Sequence, residues 1–378
     1  MSEENKARFQ DEEDRIEGEE TLDPAQDHDN TSELSPIYPA NVKVDRDVYS
    51  VYELKRRYEQ GRIVLDPDYQ REDVWTRKQK SELIESVLMG IPLPVMYFAQ
   101  DKYGTLQVID GRQRLTALFE FLDNKFAISS APILRDLKGK RFKDLEPLYQ
   151  AKLEDYQMVI YVIKPQTPDR VKFDIFERVN RRGTQLNKQE MRNALYQGKS
   201  TKLLKELSNY KEFLKATGNA INKKRMKDRY LILRFLAFYL WKKGKLVYNG
   251  EPVEYRSDID DFLGKTMEII NNMDEEEINM LRKVFVRAMN NSFEILGKDG
   301  FRIPSKGRKR PINMALFESL SYLMSHEKVE HHRELVRKKI ETLFNDKEFI
   351  QSLTEKVDSS TSVNVRFGKM DEILEELP

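Results

Sequence analysis

The chain has 378 residues with 39% hydrophobic side chains, a net charge of +1 and no cysteine, which is enough for one large core or two smaller ones. The absence of cysteine excludes disulfides, thiolate nucleophiles and cysteine metal ligands. No stretch approaches the roughly 20 apolar residues of a membrane span, and the acidic N-terminus lacks the apolar segment of a secretory signal, so the sequence predicts a cytoplasmic protein without membrane contact.

Charge is distributed unevenly along the chain. Residues 1–36 contain thirteen Asp or Glu against three Lys or Arg, a net charge of −10, so the remaining residues carry +11. A basic body is compatible with a nucleotide or nucleic-acid partner. Residues 1–40 show almost no apolar periodicity, and we predict a disordered acidic tail, which either solvates the protein or mimics nucleic acid and screens a basic site.

Residues 41–186 have the mixed pattern of a small α/β domain. Apolar runs predict strands over residues 63–65, 92–98, 106–109 and 156–163, with the last one central in the sheet. Helical periodicity predicts helices over residues 51–59, 78–89 and 112–124. Gly90 is suitably placed to end the second of these helices.

From residue 169 onward nearly every segment has helical periodicity. We predict helices over residues 169–179, 188–196, 200–215, 228–243, 257–272, 275–296, 312–325 and 330–344. Residues 228–243 are apolar on almost every side, which is typical of a core helix. The sequence therefore predicts an α+β fold in which a larger all-helical domain, residues 187–378, follows the α/β domain. The hydroxyl-rich residues 359–367, which include Arg366, are a candidate segment to return to a functional cleft.

A strand, a glycine turn and a helix follow one another at residues 108–117. Asp110 and Gly111 mark the turn after a β-branched strand end, and Arg112 and Arg114 open the helix. Such a junction offers a phosphate bare backbone N–H groups and the positive end of a helix dipole. Guanidinium groups can add bidentate contacts to phosphate oxygens. The alternative is an ordinary helix start with solvated arginines.

Two further segments carry polar and aromatic side chains near predicted helix ends. In the first, Tyr69, Gln70 and Arg71 could stack a base and contact a phosphate, or the segment could be a loop anchored by Pro67 and Trp75.

In the second, a helix closes at Asn180 and a basic turn with Arg181 and Gly183 follows, before Asn187 and Glu190 form a predicted capping box. This turn either clamps an anion or simply connects two helices. Basic clusters at residues 223–229 and 302–310 could likewise contact a nucleic-acid backbone or be solvated surface.

Four motifs in order resemble one known family. They read P-x-Y-Q-R-x-x-V-W, then L-I-E-S-V-L-x-G-I-P-L-P, then V-I-D-G-x-Q-R-L-T-A-L, then F-x-R-V-N-R-x-G-T-x-L-N-x-Q-E-x-R-N-A. Over roughly residues 50–198 the chain is similar to the N-terminal domain of GmrSD-type restriction systems (domain of unknown function 262), a branch of the ParB/sulfiredoxin-like superfamily. Members commonly carry Asp-Gly-Gln-Gln-Arg (DGQQR), and here Arg112 replaces the first Gln.

The resemblance implies a ParB-like fold with a nucleotide site. Gly111 and Arg114 occupy the positions of the phosphate-binding turn, with Arg112 between them. Asp110 is implied as a catalytic residue that binds Mg²⁺ or orients water, and Gln113 as a second catalytic, orienting residue. The remaining implied nucleotide contacts are Tyr69, Gln70, Arg71, Asn180, Arg181 and Gly183. Arg71 and Arg114 would contact phosphates.

Family members pair this domain with a C-terminal His-Asn-His nuclease, whereas this chain has only His28, His326, His331 and His332, none in such an arrangement. The resemblance therefore implies an NTPase that hydrolyses a nucleoside triphosphate in bacterial or phage-related antiviral defence, a restriction-modification role against foreign or modified DNA, with a separate nuclease subunit as partner. Two alternatives stay open: a non-hydrolysing nucleotide-binding or DNA-binding regulatory module, and a DNA-nicking enzyme that uses the ParB-like site. Assembly as a homo-oligomer is a further expectation.

Overall fold

The computed structural model describes residues 43–65, 75–101, 103–167, 171, 172, 175, 178, 187–305, 307 and 309–378. The described residues group into two compact units, one before Asn187 and one from Asn187 to Pro378. The first contains a small mixed sheet with helices and the second is helical apart from one short hairpin. The predicted α+β class is confirmed.

The first unit is built on a five-stranded sheet in the order β1-β5-β3-β4-β2. Its strands are β1 (Val44–Ser50), β2 (Ile63–Val64), β3 (Met96–Gln100), β4 (Leu106–Asp110) and β5 (Gln157–Ile163). Its helices are α1 (Val51–Glu59), α2 (Arg77–Leu88), α3 (Arg112–Leu122) and α4 (Pro147–Glu154), with 3-10 turns at Arg135–Leu137 and Phe142–Asp144. The β2–β4 and β3–β5 pairs are parallel, and the β1–β5 and β3–β4 pairs are antiparallel.

Alternate strand residues bury one face of this sheet against the helices. Met96 and Phe98 of β3 and Ile160 of β5 are fully buried, in one apolar cluster with Leu118 and Phe121 of α3. This period-two burial is the signature of a sheet with one core face. Strand β5 is interior, as the sequence predicts, although β3 occupies the middle of the sheet.

Local capping signals fix the ends of α2. Thr76 and Gln79 form a capping box at its start, in which each side chain meets the other residue's backbone N–H. At the other end Gly90 has a φ of 73°, a left-handed conformation that glycine adopts without steric cost. The predicted helix end at Gly90 is confirmed.

The helical unit packs around one long core helix. Its helices are α5 (Lys188–Leu195), α6 (Lys199–Leu207), α7 (Lys211–Ala216), α8 (Lys227–Lys242), α9 (Ile259–Asn272), α10 (Glu275–Leu296), α11 (Met314–Met324), α12 (Glu327–His331), α13 (Arg333–Leu343), α14 (Lys347–Thr354) and α15 (Ser360–Glu375). Strands β6 (Val247–Tyr248) and β7 (Glu251–Pro252) form the hairpin, and 3-10 turns lie at Lys224–Met226 and Gly297–Asp299. Helix α8 is buried from Tyr230 to Leu240, which confirms the predicted core helix.

Several predicted elements of this unit are wrong in detail. The predicted helix over residues 200–215 is two helices, α6 and α7, because the chain turns at Ser208–Tyr210. The predicted helix over residues 330–344 is likewise split between α12 and α13. Residues 359–367, for which the sequence predicts no helix, are the N-cap and first half of α15, and Arg366 is fully buried in the core of the helical unit.

A paired network of charges holds that core together. Glu318 of α11 accepts hydrogen bonds from both Arg234 of α8 and Arg366 of α15. Arg234 also donates to Asp358, at 2.6 Å, and Arg366 donates to the Val357 carbonyl at 2.7 Å. Both arginines and Glu318 are 0% exposed, so the network replaces the hydration that these charges lose on burial. Within the described part of the chain, no helix is both long and apolar enough to cross a membrane.

Candidate functional site

The junction between β4 and α3 is the turn that the sequence predicts at Asp110–Arg114. Strand β4 ends at Asp110, and Gly111 has a φ of 103°, a conformation strained for any other residue. A Cβ at Gly111 would lie 2.6 Å from both Cγ and Sδ of Met96 on the neighbouring strand. Position 111 therefore requires glycine for its backbone conformation and for the close approach of β3.

The N-terminus of α3 has no side-chain cap. Gly111 is the N-cap residue and offers no side-chain acceptor, and the first turn contains neither Asp nor Glu. The first N–H groups of a helix have no intrahelical partner and carry the positive end of its dipole. The local structure thus presents donors and positive charge where an anion such as a phosphate can bind.

Arg114 is held by three protein groups. Its Nη2 donates to Asp110 Oδ2 at 2.7 Å and to the Val95 carbonyl at 3.4 Å, and its Nη1 donates to the Pro94 carbonyl. Its side chain is only 12% exposed. Burial lowers the pKa of the Arg114 guanidinium from its usual value, although Asp110 opposes that shift. Arg114 therefore ties the turn to the loop before β3.

Arg112 and Gln113 differ from Arg114 in having unused polar groups. The structure gives Arg112, which is partly exposed, no hydrogen bond or ion pair with another described residue. Gln113 Oε1 is buried and has no hydrogen-bond partner within the described ranges. A buried acceptor without a partner costs free energy that a water or a ligand donor would recover.

Asp110 is the one carboxylate of this turn. Its side chain is 34% exposed, and one of its oxygens is occupied by Arg114. Among the residues that the structure describes, no group of three or more His, Asp or Glu side chains is arranged to hold a metal ion. A single carboxylate still fits Mg²⁺, which usually keeps several waters and takes further oxygens from substrate phosphates.

Sequence reasoning assigned no role to the loop that Arg114 contacts. The Tyr156 hydroxyl donates to the Ile91 carbonyl at 2.7 Å and accepts from the Leu93 N–H at 3.0 Å. Tyr156 and Arg114 thereby fix the loop from both ends, next to Met96. The loop is part of the motif G-I-P-L-P. Its contacts are made by backbone carbonyls, which the identities of the side chains do not reveal. Tyr97, the cross-strand partner of Asp110, is a second residue that the sequence analysis missed.

The structure brings Asp110, Gly111, Arg112, Gln113 and Arg114 together in one turn. The other predicted site residues lie outside the described residues: Tyr69, Gln70, Arg71, Asn180, Arg181 and Gly183. The capping box that follows them is confirmed. Asn187 Oδ1 accepts from the Glu190 N–H at 2.8 Å, and the Asn187 N–H donates to Glu190 Oε2 at 2.7 Å.

Comparison with known proteins agrees with these motifs. No curated protein and no solved structure matches the chain. The family model for the GmrSD restriction endonuclease N-terminal domain matches residues 51–197, which contain the whole turn. Residues 51–197 therefore match the GmrSD-type restriction endonuclease N-terminal domain, and this match points to a role in a restriction system.

Proposed function

We propose that this domain binds a nucleoside triphosphate, with its phosphates at the N-terminus of α3, and hydrolyses it. The observation that carries the proposal is the uncapped helix start, where Gly111 exposes backbone N–H groups beside Arg112, which has no hydrogen bond or ion pair with another described residue. Helix N-termini and guanidinium groups are recurring phosphate ligands. Tyr97, the cross-strand partner of Asp110, is the candidate aromatic contact for the base.

The two arginines of the turn would have different roles. Arg112 has its guanidinium available, so it is the better candidate for direct phosphate contact. Arg114 is engaged by Asp110 and two carbonyls, and it would hold Asp110 and the helix start in position. This assignment differs from the direct phosphate contact that the family resemblance implies for Arg114.

Hydrolysis would need one group that positions the attacking water and another that neutralises the negative charge of the phosphates. Gln113 Oε1, buried and unpartnered among described residues, can accept a hydrogen bond from a water and so orient it. The Asp110 carboxylate can hold Mg²⁺ or a water. The metal, when bound, would neutralise phosphate charge, and the chain supplies the turn that places the phosphates beside it.

The biological setting of the proposal follows from the domain match. A GmrSD-type domain suggests interaction with DNA within a restriction system. We propose that nucleotide turnover here serves defence against foreign or modified DNA, in the cytoplasm, with a separate nuclease subunit performing the cleavage. Co-purification with the products of neighbouring genes would test for that subunit and would show whether the protein also forms a homo-oligomer.

The direct test is a panel of the four ribonucleoside triphosphates with Mg²⁺, measuring binding by calorimetry and phosphate release in parallel. We expect turnover with at least one nucleotide, and its loss in Asp110→Ala. Asp136→Ala, which removes an exposed carboxylate of the same unit, is the control and should keep wild-type turnover. Turnover unchanged in Asp110→Ala would contradict the assignment of the catalytic carboxylate.

Binding without phosphate release would favour a regulatory module that uses the same turn as a nucleotide sensor. The Asp110–Arg114 ion pair is the feature that favours this second candidate, because it occupies one oxygen of the only carboxylate in the turn. Absence of both binding and release would sink both candidates. Metal-dependent plasmid nicking that Asp110→Ala removes would instead support the DNA-nicking alternative.

A further inference from the structure

Helix α5 carries an unusual set of buried polar side chains. Gln189, Arg192 and Asn193 are each 0% exposed, and their spacing of three and four residues places them on one side of the helix. We call these three residues the α5 polar face. Four of their atoms lack hydrogen-bond partners in the described part of the chain: Gln189 Nε2, Arg192 Nη2, Asn193 Nδ2 and Asn193 Oδ1.

Two of the three side chains of the α5 polar face also make specific contacts. Arg192 Nε donates to Gln189 Oε1 at 3.2 Å, and Arg192 Nη1 donates to Asp260 Oδ1 at 2.6 Å. The Arg192 guanidinium also lies over the Tyr230 ring, 5.2 Å from its centroid. Arg192 and Gln189 are therefore held by specific contacts, with Arg192 Nη2 and Gln189 Nε2 left over. Buried polar atoms in native proteins normally have partners, and exceptions at one place call for a missing one.

The leftover atoms define the chemistry of the missing partner. Three of them are donors, and Asn193 Oδ1 is the single acceptor. Lys188 Nζ lies 3.0 Å from Asp260 Oδ2, so Asp260 is shared between two cations. Asp260 raises the pKa of Lys188, which keeps that cation charged. A phosphate group fits this set, because its several oxygens accept hydrogen bonds and can take a charge-assisted one from Arg192.

A strained turn lies against the start of the same helix. Arg225 and Met226 have φ values of 60° and 57°, consecutive left-handed conformations that are costly for residues other than glycine. Asn187, the N-cap of α5, donates from Nδ2 to the Arg225 carbonyl at 2.6 Å and so holds the turn in place. Strain of this kind clusters at ligand sites. It is a second sign of a site at α5, independent of the orphaned atoms.

We propose that the α5 polar face binds a small phosphate-bearing molecule, with Gln189, Arg192 and Asn193 donating to its phosphate oxygens. The buried position of these residues requires a covering segment to move when the ligand binds. The turn at Arg225 and Met226 is suited to that movement, because leaving the left-handed region releases strain. This site lies in the helical unit and is separate in sequence from the Asp110–Arg114 turn.

The experiment compares two buried asparagines of the helical unit in the full-length protein. Neither polar atom of Asn193 has a partner among the described residues, whereas Nδ2 of Asn291, which is 2% exposed, donates to the Met324 carbonyl at 2.9 Å. Without ligand, Asn193→Leu should raise Tm by roughly 2–4 °C, because it removes buried polar atoms that have no partner. Asn291→Leu should lower Tm, because it leaves the Met324 carbonyl unpaired.

Binding is measured as the rise in Tm with inorganic phosphate, adenosine monophosphate or a 5′-phosphorylated oligonucleotide, each against chloride at equal ionic strength. All measurements use an Arg112→Ala background, which weakens binding at the first turn, and the response assigned to the α5 polar face is the part that Asn193→Leu removes. We expect a rise with at least one probe, and its loss when Asn193→Leu is added. The probe that responds distinguishes free phosphate, a nucleotide and a nucleic-acid end as the source.

Two results would overturn the proposal. One is a fall in Tm for Asn193→Leu comparable with that for Asn291→Leu, which would show that Asn193 serves the fold through an ordered water. The other is the absence of any response to the three probes, or a response that Asn193→Leu leaves unchanged. Neither result bears on nucleotide binding at the Asp110–Arg114 turn, which is tested only by the variants of that turn.

Discussion

Arginine meets carboxylate in two regions of this protein, and the regions differ in how completely their polar atoms are paired. In the core of the helical unit, Glu318 pairs with both Arg234 and Arg366, whose remaining guanidinium nitrogens also have acceptors. At the start of α3, both Nη atoms of Arg114 have acceptors, but the neighbouring Arg112 and Gln113 Oε1 have no partner among the described residues. Complete pairing of buried charge indicates a structural role, whereas unpaired polar groups beside an open helix start indicate a ligand site.

The largest effect is expected where pairing is complete and burial total. Glu318→Ala would leave two buried guanidinium groups without their shared carboxylate, and we expect a loss of about 3–5 kcal/mol in the free energy of unfolding. The control is Glu327→Ala, which removes a surface partner of Arg287 that is 75% exposed and should cost less than about 1 kcal/mol. Chemical denaturation measures both. Similar losses in the two variants would break the proposed contrast between core and surface pairs.

The turn itself provides the next largest effect. Gly111→Ala forces a side chain into a left-handed conformation, which costs about 1–2 kcal/mol, and pushes a Cβ against Met96. We expect lower stability than in wild type and loss of nucleotide binding. Gly104→Ala is the matched control, because Gly104 has a φ of 87° but no neighbour within 4 Å of an added Cβ. Calorimetric affinity equal to wild type in Gly111→Ala would argue against the turn as the phosphate site.

Substitution of the two arginines of the turn should have different effects, on folding stability for Arg114 and on nucleotide affinity for Arg112. Arg114→Met leaves Asp110 and the Pro94 and Val95 carbonyls without their donor, and we expect a loss of about 1–3 kcal/mol in unfolding free energy. Arg112→Met should change stability by less than about 0.5 kcal/mol and weaken nucleotide affinity by roughly tenfold, the value of one charge-assisted hydrogen bond. Chemical denaturation measures the unfolding free energy of both variants, and calorimetry measures their nucleotide affinity. The opposite pattern, a binding defect only in Arg114→Met, would restore Arg114 as the phosphate ligand.

The smallest effect concerns His326, whose two ring nitrogens lie within hydrogen-bond distance of Lys243 Nζ and the Tyr322 carbonyl. Burial and the nearby charge of Lys243, whose Nζ lies 2.8 Å from His326 Nε2, lower the pKa of His326 from its usual value of 6.5. Above pH 6.5 the imidazole is neutral in both the folded and the unfolded protein, so it contributes nothing to the pH dependence of folding stability. As pH falls below this value, the unfolded chain takes up the proton more readily, so stability decreases. His326→Gln should flatten this decrease in unfolding curves measured between about pH 7 and 5. An unchanged slope would exclude His326 as its source.

The sequence predicted best those features that depend on local pattern. The strand-turn-helix at Asp110–Arg114, the capping box at Asn187 and the core helix α8 all follow from neighbouring residues. Strand β1 was missed because it is an edge strand of mostly polar residues, and its seven-residue pairing with β5 is made by backbone groups.

What the sequence could not predict depends on contacts between distant residues. Helix α15 was missed because short hydroxyl residues favour helix ends over helix interiors, and what stabilises it is the burial of Arg366 against Glu318, 48 residues away. In the site, the same limit applies to Arg114. The sequence shows the positive charge of Arg114, but it could not predict its carbonyl partners 19 and 20 residues earlier.

The contact of Arg114 with Pro94 and Val95 also bears on which substitutions the domain can accept over time. The guanidinium recognises backbone carbonyls, which every amino acid provides, so the identity of the side chains at positions 94 and 95 matters little to this contact. Only the arginine itself is specified. Sequence drift in the loop is therefore compatible with an unchanged spacing between the loop and the helix start. A substitution at position 114 would remove the link in a single step.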